Sequence, residues 1–431
     1  MSVSLAATGA GALAAPRAWR DGWRSGLSYG ALGLPLAFVA LPLYVVLPTH
    51  YATQFGVPLA WLGTLLLAVR AFDALLDPWI GRLIDRAFAR APRSVLPIAW
   101  AAALLLALAF HGVFFPPVQG LPALLGWCAA MLLLAYAGYS VLGILHQAWG
   151  AQLGGDAAQR ARIVSWREGL SLAGVLLASV ASTRLGAGVG SMLLALTLAF
   201  GLLALQQAPR AAAAADTAAM PDALANASFR RLLCIYLVNG IASAIPATLV
   251  LFFVRDRLQA AAWEPLFLGS YFLAAALAMP LWARAVRRFG LARCWLAGMA
   301  LSVGAFCGAA LLGAGDAWAF LAVCLASGLA LGADLSLPGA LLAGVIRRAG
   351  HGGQEGRYFG WWNCATKLNL ALAAGIALPL LGWFGYAPGS RDPGALQALT
   401  LAYCVLPCVL KLAAAGLLYR GWMRSPLGSA E

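Results

Sequence analysis

Arg70, Asp73 and Asp77 stand in "LLLAVRAFDALLDPWIGRLIDRA", Leu65 to Ala87, a stretch otherwise apolar enough to cross a bilayer. On insertion scales each charge at the centre of a membrane helix costs about 2.5–3.5 kcal/mol. A helix advances ~100° per residue, so spacings of three and four place all three groups on one face. Pro78 follows the second acid and is expected to interrupt the helix, because it has no N–H for the Ala74 carbonyl. Two carboxylates beside a freed carbonyl form the oxygen-rich environment that a hard cation prefers. A proton would serve equally, since two close anions repel and one then holds a proton more tightly. A self-neutralising structural pair needs one acid per base, and here there are two.

Lys367, in "GWWNCATKLNLALAAG", is the second isolated charge. It lies too deep in its apolar run to reach the headgroups and is expected to face inward, paired with an acid near Asp77. Asp334, in "GLALGADLSLPGALL", reads either as a cap for a helix break near Pro338 or as a substrate or gating contact. The adjacent Gly328 and Gly332 read as a close helix contact. His146 and Gln147 lie on a candidate cavity face, with a satisfied packing histidine as the alternative for His146. Tyr139, Ser140, Asn239, Trp361, Trp362 and Asn363 are further cavity candidates. Arg167 joins them, unless it only pairs with neighbouring Glu168. No phosphate-binding loop, H-E-x-x-H or dinucleotide fingerprint is present, and the eight cysteines include no C-x-x-C pair. Neither an enzyme nor a pump driven by its own nucleotide site is expected, and no cofactor.

The elements that must hold these residues are membrane helices. Of 431 residues, 62% are hydrophobic and 10% charged, against about 45–50% and 25% for soluble domains. A bilayer core of ~30 Å takes about 20 apolar residues per helix. Twelve spans follow, near 28–48, 58–81, 95–115, 122–149, 164–184, 188–206, 231–253, 265–285, 293–314, 317–343, 357–382 and 396–420. "GAGVG", Gly186 to Gly190, reads as a tight turn between the fifth and sixth. Arginines gather in alternate connections, for example Arg82, Arg86, Arg90 and Arg93, and again Arg284, Arg287, Arg288 and Arg293. That alternation places both termini in the cytoplasm and explains the net charge of +14 as orientation, not nucleic-acid binding.

The polar stretch Gln206–Arg231 divides the chain into six plus six, and the basic loop "GRLIDRAFARAPR" is echoed by "ARAVRRFGLARC". The expectation is an all-α membrane protein of two six-helix bundles with the pseudo-twofold repeats of major facilitator transporters. Its parts would be a cytoplasmic tail at 1–25, bundles at 26–206 and 231–420 joined by a cytoplasmic linker at 207–230, and a tail at 421–431.

The chain resembles the glycoside–pentoside–hexuronide:cation symporter family. The resemblance runs from "SYGALGLPLAF" through "FDALLDPWIGRLIDR", "GYSVLGILHQAWGAQL" and "RARIVSWREGLSLAG" to "EGRYFGWWNCATKLNL" and "GWFGYAP". It implies that Asp73 and Asp77 are the cation-site carboxylates, Ser140 a hydroxyl ligand, and Lys367 the lysine approaching them. It also gives Arg70 and Arg167 family counterparts. "GRLIDR", with Gly81, Asp85 and Arg86, looks like the superfamily's gating loop. The departures are specific. Where the family's melibiose carrier has sugar-binding aspartates in spans one and four, this chain has Ala37 and Gly143. Gln147 replaces a stacking tryptophan, and Leu76 an asparagine beside the second acid.

The function expected is symport of a small organic solute driven by H⁺ or Na⁺, with Na⁺ at Asp73 and Asp77 the one metal ion foreseen and H⁺ slightly favoured. A sugar derivative is one solute class; a proton-coupled exporter or an amphipath carrier of the same fold is the alternative. A monomer in the bacterial inner membrane, with the lipid bilayer and the solute as partners, completes the expectation. A non-transporting membrane enzyme or receptor would need a nucleophile or metal constellation that the sequence lacks.

Overall fold

A computed structural model describes residues 19, 22–90, 94–184, 186–209 and 222–423. In hydrocarbon no water satisfies backbone N–H and C=O groups, so a spanning chain closes those bonds within helices. The described residues are helical throughout, with no strand. Eleven helices among them are long and apolar enough to cross a membrane. We label these α1 (Gly33–Gln54), α3 (Val95–Phe114), α4 (Leu121–Gln152), α5 (Ala157–Arg184), α6 (Gly186–Gln207), α7 (Ala227–Phe252), α8 (Glu264–Phe289), α9 (Leu291–Ala309), α10 (Ala317–Arg348), α11 (Glu355–Trp383) and α12 (Pro393–Trp422). Between α1 and α3 lies α2 (Leu59–Arg90), 32 residues long, whose charges set it apart from those eleven. A short helix, Trp23–Gly30, precedes α1.

Three local expectations are corrected. α2 runs through Pro78 without a break. The proline removes one N–H from the ladder, and α11 packs closely on the Asp77–Pro78 backbone at Gly360. Gly186–Gly190 forms the first turn of α6, not a separate loop; only Gly186, at φ +77°, takes the left-handed conformation that a glycine permits. α7 opens at Ala227, four residues before the expected start at 231, because Asn226 caps its first turn through the Ser228 and Phe229 N–H groups. Most of the expected terminal tails and residues 210–221 of the linker lie outside the described residues.

The helices pack as a bundle with a lipid-facing skin. α2 and α4 lie against α11, and α5 lies against α8 and α10, so the first six helices meet the last six along these two seams. Large apolar side chains such as Leu108, Phe200 and Leu273 stand exposed on the outside. A hydrocarbon solvent accommodates that surface where water would not. Among the described residues, the connections that carry Arg82, Arg347 and Arg357 meet at one end of the bundle, called here the basic end.

Candidate functional site

α2 and α4 bring their polar faces together opposite α11. Asp73 and Asp77 are buried on α2, Asp77 at 0% exposure, and Ser140 is buried on α4. The Ser140 hydroxyl donates to Asp73 Oδ1 at 3.1 Å. From α11, Lys367 reaches between them: Nζ lies 2.7 Å from Asp73 Oδ2, 2.8 Å from Asp77 Oδ1 and 2.8 Å from Ser140 Oγ. The ammonium therefore sits at the convergence of three oxygens, as a small cation would. One oxygen is left over. Asp77 Oδ2 is buried and has no hydrogen-bond partner. A buried acceptor without a protein donor is costly, and a water, a proton or a cation can supply the partner.

α11 reaches this position because of glycine. A Cβ at Gly360 would lie 2.5 Å from the Asp77 carbonyl and 3.0 Å from Pro78 Cα, both backbone atoms that cannot swing aside. With no Cβ, α11 sits close enough for the Lys367 stem to reach both acids.

Arg70 does not join this cluster. Its guanidinium lies over the Tyr44 ring, 4.0 Å from the centroid, and forms no ion pair with Asp73 or Asp77. The charge beside the acids comes from Lys367. His146 is buried, its Nε2 lies 2.8 Å from the Tyr29 carbonyl and its ring packs on Tyr29, while its Nδ1 has no hydrogen-bond partner. Arg167 Nη2 and Glu168 Oε1 pair at 2.5 Å, and Arg167 lies near Gly339 of α10.

Gln147 and Asn363 meet across the α4–α11 seam, with Gln147 Nε2 donating to Asn363 Oδ1 at 3.0 Å. Gly143 is buried on the same face, where a Cβ would meet Asn363 Nδ2 at 3.8 Å, an ordinary van der Waals contact. Trp362 stacks on Tyr236 at 3.8 Å between centroids, and Tyr139 is half-buried on α4.

Asp334 belongs to a second network that pattern reading did not assemble. Lys411 of α12 is 2% exposed and donates to Asp334 Oδ2 at 2.7 Å, Asn239 Oδ1 at 3.0 Å and Ser243 Oγ at 3.0 Å. Asp334 Oδ1 accepts from Trp295 Nε1 at 2.9 Å and Asn239 Nδ2 at 3.0 Å. The available signal was Lys411 itself, a lysine inside an apolar span with one isolated acid elsewhere among the last six helices.

The basic end is closed by contacts between the first and last six helices. Gly81 of α2 packs directly on Gly356 of α11. Asp85 accepts from the Gly356 and Arg357 N–H groups at 2.6 and 2.9 Å, and Arg86 stays exposed. Gln152 Nε2 reaches Glu355 Oε2 at 3.3 Å, and Arg347 donates to the Gly155 carbonyl.

With this geometry in place, comparison with known proteins is informative. The family described as MFS/sugar transport protein matches residues 28–422. The inner membrane symporter YicJ of Escherichia coli K12 is 29% identical over 155 residues, 36% of this chain and 33% of YicJ. The match thus spans about a third of the length of that relative. Among solved structures, a bacterial homologue of the iron transporter ferroportin in an outward-facing state superposes with a TM-score of 0.69 at 18% identity, covering 91% of this chain and 99% of that one. The E. coli fucose:proton symporter FucP superposes with a TM-score of 0.64 at 12% identity, covering 91% and 97%. At such identities the likeness is one of fold, and the fold is that of major facilitator transporters.

Proposed function

Because the chain belongs to the MFS/sugar transport family, and is therefore a membrane transporter and not an enzyme, we propose that it is a cation-coupled symporter of a small organic solute. In this reading α2 is a twelfth span, so 26–206 and 231–420 form two six-helix bundles with the linker 207–230 and both termini in the cytoplasm. The basic end is then the cytoplasmic end. The bundles rock about a midplane site, and a ligand shifts them only through its different affinity for the two arrangements.

The observation that carries the coupling is the cluster of Asp73, Asp77, Ser140 and Lys367, with one carboxylate oxygen of Asp77 unpartnered. A proton can reach that oxygen without displacing Lys367, whereas Na⁺ ligated by both acids and Ser140 needs the place where Nζ sits. The geometry therefore favours H⁺. When the acid takes the proton, its hold on Lys367 weakens, and so does a bond between α2 and α11. That is how ion binding would bias the two bundles.

The solute would lie where Gln147, Asn363, Tyr139 and Trp362 face the seam between bundles, with Arg167 and Glu168 at its edge. Ala37 and Gly143 supply no carboxylate to grip a sugar hydroxyl, so the favoured cargo is less polar than a hexoside. The name of YicJ supports placement in a bacterial inner membrane, and nothing in the site calls for a second copy of the chain.

The test uses proteoliposomes with an imposed pH or Na⁺ gradient and a solute first found by thermal-shift screening, since specific binding raises Tm. The parent is expected to accumulate solute under the pH gradient. Asp77→Asn is expected to lose accumulation at least tenfold while still binding solute. Normal accumulation by Asp77→Asn removes the cation assignment, and uptake indifferent to both gradients makes the protein a facilitator.

A further inference from the structure

A groove of about 440 Å³ opens on the outside of the bundle between α5 and α8, toward the basic end. α5 belongs to the first six helices and α8 to the last six, so the groove straddles a seam that must change as the two sets move. Arg162, Ser165 and Trp166 line it from α5, and Met279, Arg284 and Arg287 from α8. Among the described residues, no Asp or Glu lines it.

The surfaces beside it are lipid-facing. On α8, Leu273, Leu277 and Leu281 are exposed at spacings of four, and Arg284 continues that stripe one turn further on. On α5, Leu176 and Val180 are exposed along the face that leads through Ala173 and Gly169 to Arg162. Each stripe is apolar toward the middle of the bundle and ends in arginine at the basic end. The groove between them offers cations and a hydroxyl to a headgroup, with apolar walls below for its chains. Basic pockets between membrane helices on the cytoplasmic side suit anionic headgroups, and guanidinium groups suit phosphate in particular.

We propose that this groove is a binding site for an anionic phospholipid of the surrounding bilayer, with its phosphate on Arg284 and Arg287 and its acyl chains against Trp166 and Pro280. A resident lipid there touches both halves of the molecule and stabilises the arrangement in which α5 and α8 form this groove. The inference rests on the membrane placement given above and not on the cation assignment, so a failure of the Asp77→Asn test leaves it standing.

The test is native mass spectrometry of the full chain after exchange into mixed micelles of phosphatidylglycerol or phosphatidylcholine. The parent should retain phosphatidylglycerol with at least a tenfold preference and gain Tm on its addition. Arg284→Gln with Arg287→Gln should lose both effects. A control variant, Arg231→Gln with Arg288→Gln, removes the same charge from exposed positions of the basic end that do not line the groove, and should keep both. No preference in the parent overturns the proposal, as does equal loss in the two double variants, which would mean diffuse surface charge. Glycerol 1-phosphate raising Tm as much as the lipid would also overturn it, by showing a pocket for soluble anions.

Discussion

Two lysines lie inside apolar spans, and their surroundings differ in one respect. Lys411 has three oxygen partners, and both oxygens of Asp334 are satisfied, so that network is closed. Lys367 also has three partners, but Asp77 keeps one oxygen without a donor. A closed network has nothing left to bind, and it ties α7, α9, α10 and α12 together; an open one retains capacity for a proton. Removing one partner of a buried pair strands a charge, at a cost of about 3–5 kcal/mol, whereas replacing both by apolar groups is often near neutral. Lys411→Met is therefore expected to lower stability by about 3–5 kcal/mol, read from chemical unfolding in detergent, and adding Asp334→Leu should recover most of the loss. A Lys411→Met variant as stable as the parent would show that the network is not structural. Sequence pointed Lys367 toward the acids of α2, because its depth in the span argued against snorkelling. It left Asp334 divided between a cap and a substrate or gating contact, since a single acid names no partner until helices are placed in space.

At the scale of elements, hydropathy alone located most helix ends to within about six residues, because a span needs a fixed length of apolar chain, but α2 runs nine residues past its expected end and α5 starts seven before its expected start. What it mistook was local. Pro78 looked like a break, yet α2 continues through it, with Gly360 and Gly356 of α11 packed closely against it. Glycines that permit a helix contact leave no signal in periodicity, since their effect depends on what lies opposite. Gly360→Ala would put a methyl 2.5 Å from the Asp77 carbonyl. Forcing α2 and α11 apart should cost about 1–3 kcal/mol in thermal unfolding, the range for overpacking. It should also draw Lys367 away from Asp77 and so reduce gradient-driven uptake more than solute binding. Unchanged stability together with unchanged uptake would mean that the seam is looser than its backbone contacts indicate.

For the molecule as a whole, the proposed transport by alternating access requires the basic end to open, and buried polar contacts are part of what closes it. Asp85 accepts two backbone N–H groups of α11, and Gln152 donates to Glu355, each joining the first six helices to the last six. Polar contacts of this kind exchange readily for water when the end opens, unlike an apolar interface, which suits a seal that must break in every cycle. A covalent tie across the same place should arrest that cycle. In a background with the exposed Cys234 and Cys307 replaced, Gln152→Cys with Glu355→Cys joined by a short bis-methanethiosulfonate, which forms a reducible disulfide with each thiol as sulfinate leaves, is expected to abolish solute uptake while leaving solute binding from the far side intact. Reduction should restore uptake, and either single cysteine treated alike should transport normally. Full uptake by the cross-linked protein would mean that the two halves do not separate at this end, and that the path for the solute runs elsewhere.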